Sequence, residues 1–251
     1  MSIVQGHYAR KQLASRSAII RWTHGARFRK AVKLAGGTAS DKLLDYGCGD
    51  GTFIGFVAGT FGACVGADIA PEQIDDCRAR FQGIPNVSFC LVRDLALAEH
   101  ARAYGVVTCM ETLEHCTEES VQSVLADLNR LCASPGTVVI SVPIETGPVF
   151  LIKYLVRKMA AWRGMSEYAR YETYSMRDAR RMLFATERTL VDRPAYGRSE
   201  SRYHSHYGFN WRRLRGNIGR VLDVQKTQFS PIGLSGGWLS SQVWFVCRPR
   251  H

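Results

Sequence analysis

Strand-like runs separated by helical segments constrain this chain more than any other feature. KLLDYG, ACVGADI, VSFCLV, YGVVTCM and GTVVISVP are short and rich in β-branched and apolar residues, and each reads as a strand. Segments 52–60, 71–82, 95–102 and 117–134 lie between or beside them and read as helices. Strand, helix, strand at this spacing closes through right-handed crossovers, so the expectation is a parallel, doubly wound sheet with helices on both faces. Residues 7–35 read as helical ahead of the first strand. Beyond the fifth strand the alternation stops over 147–208, after which FNWRRLRGNIG reads as a helix and VLDVQKTQF and SQVWFVCRP as two more strands.

At 251 residues the chain can bury a sizeable core. No apolar run approaches the roughly 18 residues needed to span a bilayer, and the opening MSIVQGHYARKQLASRS lacks a signal-peptide core, so a cytoplasmic protein is expected. Eight cysteines are scattered without a C-x-x-C pair. That pattern argues against zinc and against a disulfide framework; they read as reduced core residues, and no metal is expected. Charge is uneven: residues 1–40 sum to +8, 41–150 to −9 and 151–251 to +12. Basic ends around an acidic middle suit an anionic partner: a phosphorylated substrate, a nucleic acid or a membrane surface. A solvated basic face is the plainer reading of any single arginine.

The first strand runs into DYGCGDG. In an open α/β sheet ligands bind at the carboxyl ends of the strands, and the first strand-to-helix turn is the usual platform. Gly47, Gly49 and Gly51 lack a Cβ, so the chain can turn sharply and let a ligand lie against the main chain. The third glycine falls one residue too early for the G-x-G-x-x-G of a dinucleotide fold, and Asp45 precedes the set, which disfavours a nicotinamide dehydrogenase. An acid beside a bare turn suits a cationic ligand with an amino group. Asp68 ends the second strand, where a carboxylate can accept both hydroxyls of a ribose.

These motifs resemble the class I S-adenosylmethionine-dependent methyltransferases, in particular the small-molecule branch with the ubiquinone-biosynthesis O-methyltransferases. The resemblance runs from Leu43 to Pro143 and, more loosely, through the last strands. It implies a Rossmann-like, mostly parallel seven-stranded sheet with N-terminal helices and an α-helical insertion after strand 5, and S-adenosyl-L-methionine as cofactor. One domain is expected over 1–251: a helical lid at 1–40, a cofactor-binding core at 41–146, a substrate cap at 147–208 and a closing helix and strands at 209–251. By the same resemblance Asp45 and the backbone of Gly47, Cys48, Gly49 and Gly51 hold the methionine portion, and Asp68, followed by Ile69, holds the ribose. Asp94 takes the adenine amino group and Leu95 offers a backbone amide. CMETLEHC, with Met110, Glu111, Leu113, Glu114 and His115, closes over the cofactor, and Arg27 reaches the methionine carboxylate. The duller readings are that Asp94 is a turn residue and that Glu114 and His115 begin a helix, where an acid is favoured by the dipole.

Methyl transfer to a hydroxyl needs alignment of nucleophile and methyl, and a base for the proton. His115 follows the fourth strand and titrates near neutrality, so it is the first candidate; Glu145 after the fifth strand and His204 or His206 in RYHSHYGF are the others. Two rivals remain open. One is an RNA-directed enzyme using the basic flanks, although CMETLEHC lacks the Asn/Asp-Pro-Pro-aromatic loop of base N-methylation, so nucleic acid is the less favoured partner. The other is a binder that kept the fold and lost the reaction.

In the insertion, PVFLIKYLVRKMAAWRG places Leu151, Leu155, Met159 and Trp162 on one side at helical spacing and Lys153, Arg157 and Lys158 on another. Such a helix usually packs on its own domain. With cations beside Trp and Phe, it also suits shallow contact with the inner face of an anionic membrane. The resemblance to the ubiquinone-type enzymes, in which a similar insertion goes with membrane-held substrate, implies the same here, so the expected acceptor is hydrophobic, lipid-linked or a saccharide, methylated on oxygen.

Overall fold

A computed structural model describes residues 6–7, 18–162, 174–197 and 202–250. Helix α1 (Ala18–Ala35) leads into β1 (Lys42–Tyr46), α2 (Thr52–Val57), β2 (Ala63–Asp68), α3 (Pro71–Arg80) and β3 (Val87–Leu91). Then come β4 (Tyr104–Met110), α4 (Glu118–Leu131) and β5 (Cys132–Pro143). The insertion holds α5 (Pro148–Trp162), α6 (Met176–Leu183) and a two-stranded ribbon of β6 (Ala195–Tyr196) and β7 (Tyr203–His204). Helix α7 (Trp211–Val221), β8 (Leu222–Ser230) and β9 (Gln242–Pro249) complete the chain.

Seven strands form one sheet in the order β3-β2-β1-β4-β5-β9-β8. The first five are mutually parallel, and β9 runs antiparallel to both β5 and β8. The expected α/β, doubly wound, mostly parallel seven-stranded architecture is what the chain adopts. Because the strand order reverses at β1, flanked by β2 and β4, their carboxyl ends diverge there into a crevice.

Each face of the sheet is sealed by helices. One core gathers Leu44, Val107 and Ile140 from the strands with Val121, Leu125 and Leu128 of α4 and Leu214 and Ile218 of α7. The other gathers Leu43, Val106 and Val139 with Phe28 and Ala31 of α1, Ile54 of α2 and Ile74 of α3. Adjacent strand residues alternate between these cores because side chains alternate across a pleat. Helix α4 shows why its segment folds this way: the Thr117 side chain accepts from the Ser120 amide at 3.3 Å as an N-cap, and four apolar residues line one face. Burying each contributes about 1.5–3 kcal/mol.

Two expectations need correction. Segment 95–102 is not an α-helix but two 3₁₀ turns, Val92–Ala96 and Ala98–His100. The Asp94 carboxylate accepts from the Leu91 amide at 3.1 Å and tightens the first turn, and Leu97 then adopts an extended conformation that interrupts it. The insertion is not wholly helical, since the β6–β7 ribbon lies within it. The predicted helix over 7–35 is seen as Ala18–Ala35, while residues 8–17 lie outside the described residues. All eight cysteines are thiols, six buried and Cys90 and Cys116 half-buried.

Candidate functional site

At the carboxyl end of β1 the chain turns through Gly47, Gly49 and Gly51, whose φ values of 78°, 52° and 69° are left-handed. Close approach adds a second constraint at Gly47, where a Cβ would stand 2.3 Å from the Thr112 hydroxyl. The turn is tied to β2. The Gly47 and Cys48 amides donate to the Ala67 carbonyl at 2.8 and 3.0 Å, and the Gly49 amide donates to Asp68 Oδ2 at 2.9 Å. Asp68 Oδ1 accepts from the Ala70 amide at 3.1 Å.

The turn floors a cavity of about 710 Å³. Asp45, Gly47, Cys48, Gly49, Met110, Glu111 and Arg27, all singled out in the sequence, line it. His7, Phe28, Asp50, Thr52, Phe53, Glu72, Gln73 and Asp76 join them. Burial pushes the Asp45 carboxyl up to about 7; a 2.7 Å bond from the Thr108 hydroxyl opposes the rise and the Asp68 charge adds to it. Thr108 had a visible signal, being a hydroxyl inside an apolar strand run. Glu111 has a φ of 54°, unusual for a glutamate, and the main chain is held there by its amide, which donates to the Ser141 carbonyl at 3.0 Å. Its Oε2 lies 3.3 Å from Arg27 Nη1, while Oε1 is buried with no hydrogen-bond partner among the described residues.

Gly51, Asp68, Ile69, Asp94 and Leu95 are not lining residues of this cavity. Gly51 caps α2, and Ile69 is exposed beside it at the end of β2. Asp94 lines a separate cavity of about 650 Å³ and its carboxylate serves the Leu91 amide, while Leu95 is fully buried in the core. The turn role weighed for Asp94 in the sequence is the one its geometry displays.

A second cluster stands where the insertion returns to the sheet. His115 Nδ1 lies 2.9 Å from the His204 carbonyl, a contact that puts the proton on Nδ1 and leaves Nε2 as the acceptor nitrogen. Burial lowers its pKa below 6.5, with the His206 charge acting in the same sense and the His204 carbonyl opposing it. The His115 and His206 rings meet edge to face at 5.0 Å. His206 Nδ1 is 3.6 Å from Glu145 Oε1, which also accepts from Lys153 Nζ at 2.9 Å. Lys153 donates to the Ile144 carbonyl as well, at 2.9 Å. The structure thus unites three candidates, His115, Glu145 and His206. His204 contributes its carbonyl, and its own Nδ1 is 2.9 Å from the Pro194 carbonyl.

Lys153 corrects an expectation, for it is committed to Glu145 and the chain rather than to a helix surface. The side chains of Arg157, Met159 and Trp162 lie outside the described residues. Glu114 is fully buried, neither carboxylate oxygen accepts a hydrogen bond among the described residues, and its Oε1 is 3.9 Å from His115 Nε2. Burial, with Glu111 beside it, pushes its pKa well above the usual range. Arg193 donates to the Glu114, Ser205 and Tyr207 carbonyls and stitches the insertion to the loop after β4. Among the described residues, Glu114, His115 and His206 place ligand atoms within 4.8 Å of one another and could hold a metal ion, a grouping that cysteine spacing could not reveal.

Residues 43–136 match the family described as "Methyltransferase domain". A ubiquinone biosynthesis O-methyltransferase from Salmonella paratyphi A is 33% identical over 120 residues, 47% of this chain and 49% of that protein. The chain thus spans about half the length of this curated relative. A TehB-like SAM-dependent methyltransferase from Corynebacterium glutamicum superposes with a TM-score of 0.56 at 14% identity, over 96% of this chain and 94% of that one. The geranyl diphosphate C-methyltransferase of Streptomyces coelicolor A3(2), solved with Mg2+, geranyl diphosphate and S-adenosyl-L-homocysteine, superposes with a TM-score of 0.55 at 13% identity, over 98% and 84%. Domain match, sheet order and glycine turn together make residues 43–136 similar to the class I S-adenosylmethionine-dependent methyltransferases.

Proposed function

We propose that the chain binds S-adenosyl-L-methionine in the 710 Å³ cavity and transfers its methyl group to a hydroxyl of a hydrophobic, lipid-linked or saccharide small molecule received under the 147–208 cap. The observation that carries the hydroxyl acceptor is the His115–His206–Glu145 cluster, which puts an imidazole acceptor nitrogen next to the segment that lines the cofactor cavity. The cavity suits the cofactor: its floor is bare glycine backbone, closed on Thr112 at Gly47 and open at Gly49, and Glu111 Oε1 is a buried acceptor with no hydrogen-bond donor among the described residues.

When bound, the sulfonium supplies an electrophilic methyl group. Asp45 and the Gly47–Gly49 backbone would receive the amino-acid end, Arg27 with Glu111 would close that end, and Asp68, which holds the Gly49 amide without itself lining the cavity, would meet the ribose hydroxyls where the cofactor extends past that turn, with lone pairs its two amide donors leave over. His115 Nε2 removes the acceptor's proton. His206, steered by buried Glu145, hydrogen-bonds the acceptor oxygen and sets its direction of attack.

Calorimetry with S-adenosylmethionine and S-adenosylhomocysteine tests the first half: micromolar binding of both is expected, and NAD binding with no response to either would overturn it. Methyl incorporation across a panel of phenols, polyprenyl-linked sugars and a mixed-sequence RNA tests the second. Transfer to RNA alone would favour the nucleic-acid reading, for which the basic, acid-free sequences of α1 and α7 give the physical ground.

A further inference from the structure

Between Lys226 and Arg248 lie twenty-one residues without a charge, in a chain whose charged content is 22%. Part of that run is strand, but its middle, residues 231–241, joins β8 to β9 and carries Ile232, Leu234, Trp238 and Leu239 at the surface. Leu234 is fully exposed and Trp238 is 69% exposed. The loop is nevertheless built at its base. Ser240 is buried and its hydroxyl donates to the Ile232 carbonyl at 2.8 Å, the Ser241 amide donates to the Ser230 carbonyl at 2.9 Å, and a methyl at Gly237 would lie 3.7 Å from Phe229 and Trp211. A base fixed in this way holds the apolar tip outward instead of letting it fold back.

Topology decides where the tip points. Gln242 opens β9 opposite Pro143, which closes β5, so the loop leaves the sheet at the carboxyl end that carries the candidate site. The Ile144 amide donates to the Ser241 carbonyl at 2.9 Å, and Glu145 is the next residue. Exposed Leu151, Ile152 and Leu155 on α5 belong to the same neighbourhood, since Lys153 donates to the Ile144 carbonyl.

Charge decides what would cover it. Edge strand β8 lies between α1, with five Lys or Arg and no acid, and α7, with four arginines and no acid. Toward the loop end of β8, Lys30 of α1 donates to the Gln228 side chain, Arg215 Nε donates to the Thr227 hydroxyl at 3.4 Å, and Arg212 stacks over the Trp211 ring that lies against Gly237. An apolar tip framed by cations complements an anionic lipid surface, where Trp and Leu enter the interfacial zone and Lys and Arg meet headgroups. A second copy of this chain would bring the same cations against it.

We infer that the β8–β9 loop, through Leu234, Trp238 and Leu239, docks the protein on an anionic bilayer with the acceptor site facing the lipid. This rests on the proposed acceptor class, but docking is measured without turnover. The experiment compares the full chain with a Leu234→Ser, Trp238→Ser, Leu239→Ser variant by co-flotation with phosphatidylcholine vesicles with and without 30% phosphatidylglycerol. Three such side chains leaving water imply that the variant's partition falls by at least about tenfold. Quenching of Trp fluorescence by brominated lipid, lost in a Trp238→Phe variant, supports insertion of this loop. S-adenosylhomocysteine affinity unchanged in the triple variant shows that it has folded; if that affinity is lost, the quenching comparison alone decides. The inference is overturned by absence of binding to anionic vesicles, by equal binding to neutral ones, by binding the triple substitution leaves intact, or by a dimer in solution that the substitution dissolves. A chain that docks but transfers no methyl group would overturn the proposed function and leave the docking surface standing.

Discussion

The Gly49 amide donates to Asp68 Oδ2 at 2.9 Å, so the bare turn after β1 and the carboxylate at the end of β2 are one mechanical unit. A change at Asp68 acts twice, removing an acceptor for the ribose hydroxyls and releasing the turn under the cavity. Asp68→Ala is expected to weaken S-adenosylhomocysteine binding by about ten- to a hundredfold, equivalent to about 1.5–3 kcal/mol, and to lower Tm in the absence of ligand. Asp68→Asn keeps an oxygen for the turn and should lose less of both. Calorimetry and thermal melts check this pair; equal affinity in both variants and wild type would remove Asp68 from the site.

Asp45 is the complementary case, a group held at a cost to stability. Its pKa rises from 3.8 to about 7 on folding, so the folded state binds more protons than the unfolded one between these values. Stability from this group is therefore full below pH 3.8 and declines as pH climbs through 7, by up to about 4 kcal/mol. Asp45→Asn is expected to raise Tm relative to wild type at pH 8 and to make little difference at pH 4, while abolishing most cofactor affinity. Melts across pH 4–8 read the crossover, and a constant difference would show that the carboxyl is not the titrating group.

His115 should act as neutral imidazole, and burial lowers its pKa below 6.5. Its active form is lost as pH falls through that depressed value, so the acid limb of kcat is expected below pH 6.5. His115→Ala should lower kcat by about a hundredfold and leave S-adenosylhomocysteine affinity nearly unchanged. A drop under about threefold would move the proton to Glu145, His204 or His206. Loss of cofactor binding would make the residue structural.

What the sequence disclosed and what it withheld divide along contact range. The glycine turn, the succession of strands through β5 and the two last strands were legible because each is written in contiguous residues: three glycines behind Asp45, β-branched runs at regular spacing. Segment 95–102 misled because LALAEHA has helical propensity, and the Asp94–Leu91 bond that tightens it into 3₁₀ turns is a local side-chain contact that propensity does not record. The histidine cluster was named residue by residue, yet its pairing was not readable. His115 meets His204 across 89 positions, and only the return of the insertion to the sheet brings them together. Lys153 was read from helical spacing as a surface cation because spacing carries no record of the buried carboxylate waiting at Glu145.

That pair supports the last prediction. The Glu145 side chain is 2% exposed and Lys153 Nζ stands 2.9 Å from its Oε1, with His206 Nδ1 at 3.6 Å. Lys153→Met strips the Glu145 carboxylate of its 2.9 Å ammonium partner and leaves His206 Nδ1 at 3.6 Å beside it. With that anchor gone the carboxylate holds His206 less firmly toward the acceptor oxygen, so kcat should fall. The stability loss is expected at about 1–3 kcal/mol, less than for stripping a fully buried pair because the Lys153 side chain is 23% exposed. Lys153→Met combined with Glu145→Gln removes charge from both sides and should recover most of the stability without recovering kcat. Measured by denaturant melts, by kcat against pH and by histidine proton resonances, recovery of both properties in the double variant would reduce the Glu145–Lys153 pair to a structural tie. Vesicle binding should be indifferent to Lys153→Met, since the ammonium is turned toward Glu145 and the Ile144 carbonyl and not toward the surface.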